Sequence, residues 1–144
     1  RWVPVPMPYA ESDAPAYVNG RRERWADPGG EMTWAITGRD SGELLGVISL
    51  HARGEGTREI GFWAAPWARG RGVMTAAARL VCRFGFDVLG LARIEWWAVA
   101  GNDASWRVAD KLGFQREGTC RSALVHRGER FDGWVAGLLA GELR

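Results

Sequence analysis

The chain has 144 residues, 47% hydrophobic and 25% charged, enough for one domain to bury a substantial core without disulfides or metal. A net charge of +2 is too small to argue for nucleic acid as the main partner, and no run of about 18 apolar residues is present to span a membrane. Cys82 and Cys120 lie far apart, with no Cys-x-x-Cys spacing and no histidine cluster, which argues against a zinc site or disulfide framework and for a reducing cytoplasm. Nine tryptophans are unusual at this length; most are expected in the core and some against a pocket. The chain begins with Arg1 and shows no charged-then-apolar leader.

Residues 1–8 carry three prolines and read as an extended lead-in. Ser12 and Pro15 mark a helix start, with the helix expected over residues 16–26 and ended by Pro28 and Gly29. Strands are expected over 32–37 and 44–51, joined as a hairpin by a turn at Asp40-Ser41-Gly42, and a third over 58–64. In that third strand Glu59, Gly61 and Trp63 share one face, and Ile60 and Phe62 the other. From Val73 the period becomes helical, with Val73, Ala77, Leu80, Val81, Phe84 and Val88 as the apolar stripe. A strand over 94–99 then completes a βαβ crossover, its two strands parallel. A short helix capped by Asn102 or Asp103 runs to about Leu112 and is closed by Gly113; strands over 115–125 and 131–139 finish the chain. The expected architecture is α+β: a mixed, mostly antiparallel sheet of six or more strands, with three helices, forming a single domain over residues 1–144.

The strand-to-helix junction is Trp67-Ala68-Arg69-Gly70-Arg71-Gly72-Val73-Met74. The first N–H groups of a helix lack intrahelical partners and sit at the positive end of its dipole. Glycines let the backbone approach an anion closely, and Arg69 and Arg71 add charge that reaches phosphate oxygens. The plainer reading is a glycine-rich turn with solvated arginines. A P-loop is excluded, because its lysine is missing and the single lysine is Lys111. A dinucleotide fingerprint starting at Gly70 fails at Thr75.

Arg69, Gly70, Arg71 and Gly72 resemble the Arg/Gln-x-x-Gly-x-Gly/Ala signature of the GCN5-related N-acetyltransferase (GNAT) superfamily, with Met74 in place of its last small residue. About thirty residues on, Asn102, Ser105, Val108, Lys111, Gly113, Phe114, Glu117 and Gly118 resemble the Asn-x-x-Ser, Val-x-x-Lys-x-Gly-Phe and Glu-Gly pattern of its ribosomal-protein N-acetyltransferase branch. The resemblance covers residues 10–143. It implies the GNAT fold, a sheet splayed at its centre with helices on both faces, whose first strand and helix would precede Arg1. It implies acetyl-coenzyme A as cosubstrate and no metal, an amine acceptor as the other partner, no nucleic acid or membrane, and a monomer or homodimer in the cytoplasm.

By that resemblance Phe62, Trp63 and Ala64 supply main-chain contacts to the pantetheine arm. Arg69, Gly70, Arg71, Gly72, Val73 and Met74 hold the pyrophosphate, and Asn102 holds the arm. Arg107 approaches the ribose phosphate or is a solvated helix arginine. Transfer to an amine needs a base, since amines are mostly protonated at pH 7, and a donor to the departing thiolate. Ser105 is the candidate donor, against a first-turn serine bonding its own backbone. Glu59 is the candidate base, acting through water, against an exposed strand glutamate. The branch places a glutamate where this chain has Leu124; His126 stands two residues on, on the same face, as a substitute or as a hairpin surface residue. Trp25 and Trp134 suit a partly apolar acceptor. The acceptor itself, a protein N-terminus or a small-molecule amine, stays open, as does a longer acyl group such as succinyl. Two other readings are a non-catalytic acyl-coenzyme A sensor and a nucleotide-phosphate binder.

Overall fold

A computed structural model describes residues 13–27 and 30–144. The lead-in, the Ser12 cap and the Pro28–Gly29 stop lie outside those residues. The elements are α1 (Asp13–Ala26), β1 (Met32–Thr37), β2 (Leu44–Gly54), β3 (Thr57–Ala64), α2 (Val73–Asp87), β4 (Arg93–Val99), α3 (Asp103–Leu112), β5 (Gln115–His126) and β6 (Glu129–Leu139). Short 3₁₀ turns occupy Pro66–Ala68 and Ala140–Glu142. The strands form one six-stranded sheet in the order β1-β2-β3-β4-β6-β5, antiparallel throughout except between β3 and β4. The expected mixed sheet and the parallel crossover are both present.

Alternation along the strands sorts their side chains. Ile48, Leu50, Ile60, Ile94, Trp96 and Leu138 form one fully buried face, covered by Met74, Ala78 and Cys82 of α2 and by Ala109 and Leu112 of α3. Burial pushes the Cys82 thiol up to about 12, so it behaves as a small core hydrophobe. On the other face α1 lies over Thr33, Ala35 and Val47, with Tyr17, Val18, Arg21 and Trp25 turned towards them.

The face of α2 that meets the sheet differs from the expected stripe. Met74, Ala78, Val81, Cys82 and Gly85 are buried, whereas Leu80 and Val88 are each 66% exposed. Size explains the rotation. A Cβ on Gly85 would stand 3.0 Å from Leu91 Cδ1 and 3.1 Å from Ile94 Cδ1, so at its C-terminal end the helix comes close enough to the sheet only with a glycine there.

Between β3 and β4 the ladder has just four pairs, Thr57↔Arg93 to Ile60↔Trp96. Both strands run on, to Ala64 and to Val99, without pairing to each other. The sheet is splayed at its centre.

Candidate active site

The start of α2 is an open cradle of amides. Gly70 and Gly72 have φ of 73° and 75°, and a Cβ on either would meet nothing within 4 Å. Gly72 caps α2 with no side-chain hydrogen bond, and the first helical bond runs from Ala76 N–H to Gly72 O at 3.0 Å. The N–H groups of Val73, Met74 and Thr75 therefore have no helical acceptor. Met74 turns its side chain into the core, with its methyl against Gly46, so only its amide belongs to the cradle. Arg71 is exposed, and Arg69 donates through Nε to Ala64 O at 3.1 Å.

Backbone direction decides what lines the gap. Ala65 N–H bonds Leu45 O on the β2 side at 2.9 Å. Alternation then aims the amides of Phe62 and Ala64 the other way, into the gap, while those of Trp63 face β2. Trp63 accordingly differs from the sequence expectation: its main chain belongs to the β2–β3 ladder, where it pairs with Val47. Across the gap, Ala100 N–H bonds Asp132 O at 2.8 Å, which leaves Val99 facing β3. The Val99 carbonyl closes a turn by accepting from Asn102 N–H at 3.0 Å. Phe62, Ala64 and Val99 are thus a set of main-chain partners at hydrogen-bonding depth.

That turn leads into α3. Asn102 caps the helix, its Oδ1 accepting from Ser105 N–H at 3.3 Å. Ser105 Oγ does not bond its own backbone; it accepts from Trp96 Nε1 at 3.0 Å. Trp96 is 1% exposed, belongs to the last β3–β4 pair, and packs its ring 5.4 Å from that of Trp106. Arg107 is exposed on α3 with no partner among the described residues. Trp134 lies on this same face, under the guanidinium of Arg116 at 3.9 Å, and Trp106 flanks that guanidinium at 4.3 Å. Trp25 stands at the β1 edge, its ring 5.3 Å from that of Trp34, and donates to Thr33 O at 3.0 Å.

On the α1 face a row of carboxylates crosses the sheet. Glu59 lies beside His51 on β2 and Glu95 on β4. Arg53 grips Glu59, its Nε 2.6 Å from Oε2. Glu31 meets Arg21, Arg24 and His51. Burial pushes its carboxyl up, but His51, the Thr33 hydroxyl and the two arginines outweigh this and hold it below the usual range. Trp97 Nε1 donates to Glu95 at 3.2 Å, and Arg93 joins Glu95 to Glu117. Leu124, where the branch pattern has a glutamate, packs over Gly133 next to the Trp97 ring. His126 stands at the hairpin end, opposite Glu129. Among the described residues, no group of three or more His, Cys, Asp or Glu side chains is placed to hold a metal ion.

The fold thus sets Phe62 and Ala64 on the open stretch of β3, Gly70 and Gly72 at the start of α2 that follows it, Asn102 and Ser105 at the start of α3 that follows β4, and Glu59 in the zipped part of the β3–β4 ladder. Trp96 and Arg53 escaped the sequence reading. Neither carries a motif, and each matters through a partner that only the sheet register supplies.

The family described as "Acetyltransferase (GNAT) domain" matches residues 1–115. The chain belongs to the GNAT family. It is 39% identical over 93 residues to the "Putative ribosomal N-acetyltransferase YdaF" of Bacillus subtilis, a match covering 63% of the chain and 51% of that relative. The chain thus spans about half the length of this relative. The GNAT-family acetyltransferase of Bacillus anthracis shares the fold with a TM-score of 0.81 and 27% identity, over 93% of this chain and 77% of that one. A structure titled as a putative ribosomal-protein-serine acetyltransferase from Vibrio cholerae superposes with a TM-score of 0.82 at 20% identity, covering 91% and 76% of the two chains. What these chains share is the fold.

Proposed function

We propose that this GNAT protein moves an acetyl group from acetyl-coenzyme A to a primary amine by direct attack. The observation that carries the reading is the β3–β4 ladder ending at Ile60↔Trp96, with β3 running on unpaired to β4 as far as Ala64 and the left-handed Gly70–Gly72 turn following it into α2. An amide-bearing pantetheine arm matches the gap-facing N–H and C=O of Phe62 and the N–H groups of Ala64 and Val99 as a pseudo-strand. The diphosphate then suits the amides of Val73, Met74 and Thr75 and the guanidinium of Arg71. Asn102 sets the start of α3, and Arg107 faces solvent at the ribose end.

Acetyl-coenzyme A supplies the activated acyl carbon. The chain's own groups do the rest. Glu59 takes the amine's proton through water. A gap-facing N–H of β3 stabilises charge developing on the carbonyl oxygen. Ser105 donates to the sulfur as the carbon–sulfur bond breaks, and the carbon–nitrogen bond forms in the same exchange. From the ammonium two protons leave the nitrogen: one passes through Glu59 to solvent, and one restores the Ser105 hydroxyl after its proton has joined the thiolate. The acceptor fits the groove of about 580 Å³ under α1, lined by Tyr17, Val18, Arg21, Trp25, Thr33, Ala35 and Val47. A ribosomal amine is the favoured acceptor, on the name carried by the B. subtilis relative, with a protein N-terminus as the form we propose for it.

Coenzyme A release is measured with acetyl-coenzyme A and a panel of peptide N-termini, polyamines and amino sugars. Turnover with one class identifies the acceptor. A second reading, an acyl-coenzyme A sensor, draws on the Arg53 grip on Glu59 and on Leu124. It predicts binding without turnover on every amine, with Glu59→Gln indistinguishable from the parent. Binding of ATP or NAD in preference to coenzyme A would overturn both.

A further inference from the structure

Ser105 is held by two side chains, Asn102 at its N–H and Trp96 at its hydroxyl. Its N–H is engaged by Asn102, through the carbonyl at 3.1 Å and through Oδ1 at 3.3 Å. Its hydroxyl meets Trp96 Nε1 at 3.0 Å. An indole nitrogen carries a hydrogen and has no lone pair to offer, so in this bond the serine oxygen must accept. The hydroxyl's single proton is therefore left for a partner elsewhere. A first-turn serine would otherwise give that proton to a nearby carbonyl of its own chain, and no such bond exists among the described residues.

Position sharpens the point. Trp96 is the β4 member of the last β3–β4 pair, buried to 1% exposure. Its ring is fixed by Trp106 at 5.4 Å. The donor that orients Ser105 is thus rooted where the two strands begin to part, and it cannot move without disturbing the core.

We propose that Trp96 is a positioning residue: its indole N–H holds the Ser105 oxygen as an acceptor and so commits the serine proton to the departing thiolate. This rests on the acetyl-transfer reading above. The bond should also strengthen Ser105 as a donor, since hydrogen bonds in a chain polarise one another.

The test is a mutant cycle on the full chain, with acetyl-coenzyme A and the best amine of the panel. Trp96→Phe keeps an aromatic ring and removes the N–H. Its kcat is expected to fall about tenfold, with the KM for acetyl-coenzyme A and the Kd for coenzyme A within about twofold of the parent. Ser105→Ala is expected to lose at least as much, and the double variant no more than Ser105→Ala alone. Trp134→Phe makes the same substitution on β6, where the ring lies under Arg116, and is expected to stay near the parent rate. An undiminished kcat in Trp96→Phe, equal losses in Trp96→Phe and Trp134→Phe, or losses that multiply in the double variant would each overturn the proposal. An absence of turnover in the parent with every amine would overturn the transfer reading and this proposal with it. A readout free of turnover is the ¹⁵N-indole spectrum. The Trp96 Nε1–H resonance is expected to move upfield in Ser105→Ala, and an unmoved resonance shows that no such bond forms.

Discussion

Gly70 and Gly72 occupy backbone conformations that an L side chain enters at a cost of about 1–2 kcal/mol. Both are exposed and touch no other element, so a loop forced to accept alanine relaxes outward and leaves the core alone. Gly70→Ala and Gly72→Ala are each expected to weaken coenzyme A binding about tenfold by calorimetry, with little change in melting midpoint. Equal affinity would remove the cradle from the binding reading. Glu59 makes the opposite kind of prediction. Glu59→Gln keeps the shape and removes the proton acceptor, so kcat is expected to fall about a hundredfold at unchanged KM for acetyl-coenzyme A. Serine and glutamate were recognisable in the sequence as types that do this chemistry. Their partners were not, because Trp96 and Arg53 reach them only across a fold that alternation alone does not pair up.

Elements packed by size, more than by hydrophobicity, are where sequence reasoning slipped. Strand positions and the parallel crossover followed from alternation and glycine punctuation, and the αL Gly113 ends α3 where expected. The α2 stripe came out one position off, since Leu80 and Val88 outweigh Ala78 and Gly85 on any apolar scale while the close approach at Gly85 admits no side chain. Gly113 carries a matching prediction. Its φ is 100°, and a Cβ there would run into the Glu142 carbonyl. Gly113→Ala is expected to cost about 1–3 kcal/mol in urea denaturation. A second element-level feature is the Arg93–Glu117 pair, with Nη2 2.5 Å from Oε2. It joins β4 to β5 across Gly137 of the strand between them, where any side chain would block it. The bond from Arg93 holds the Glu117 carboxyl below its usual range, as the surroundings of Glu31 do for that group. Both groups have a lower pKa folded than unfolded. Their contribution is therefore full above the ordinary carboxylate value of about 4.3 and is lost as pH falls through the lower folded values. Urea midpoints between pH 6 and 3 are expected to drop, and Glu117→Gln to flatten the drop.

Over the whole molecule, the sheet consists of two three-stranded leaves, β1-β2-β3 and β4-β6-β5, joined by four backbone pairs and by the α2 crossover. Amides on the open stretches of β3 and β4 exchange with solvent through local fluctuations and not through global unfolding. Coenzyme A is expected to slow hydrogen exchange selectively at Phe62, Ala64 and Val99, and uniform protection would contradict the pseudo-strand. On the proposed reading, a bound pantetheine arm would lace the two leaves together, and resistance to heat and proteolysis would rise with coenzyme A concentration, as binding to the folded state alone requires.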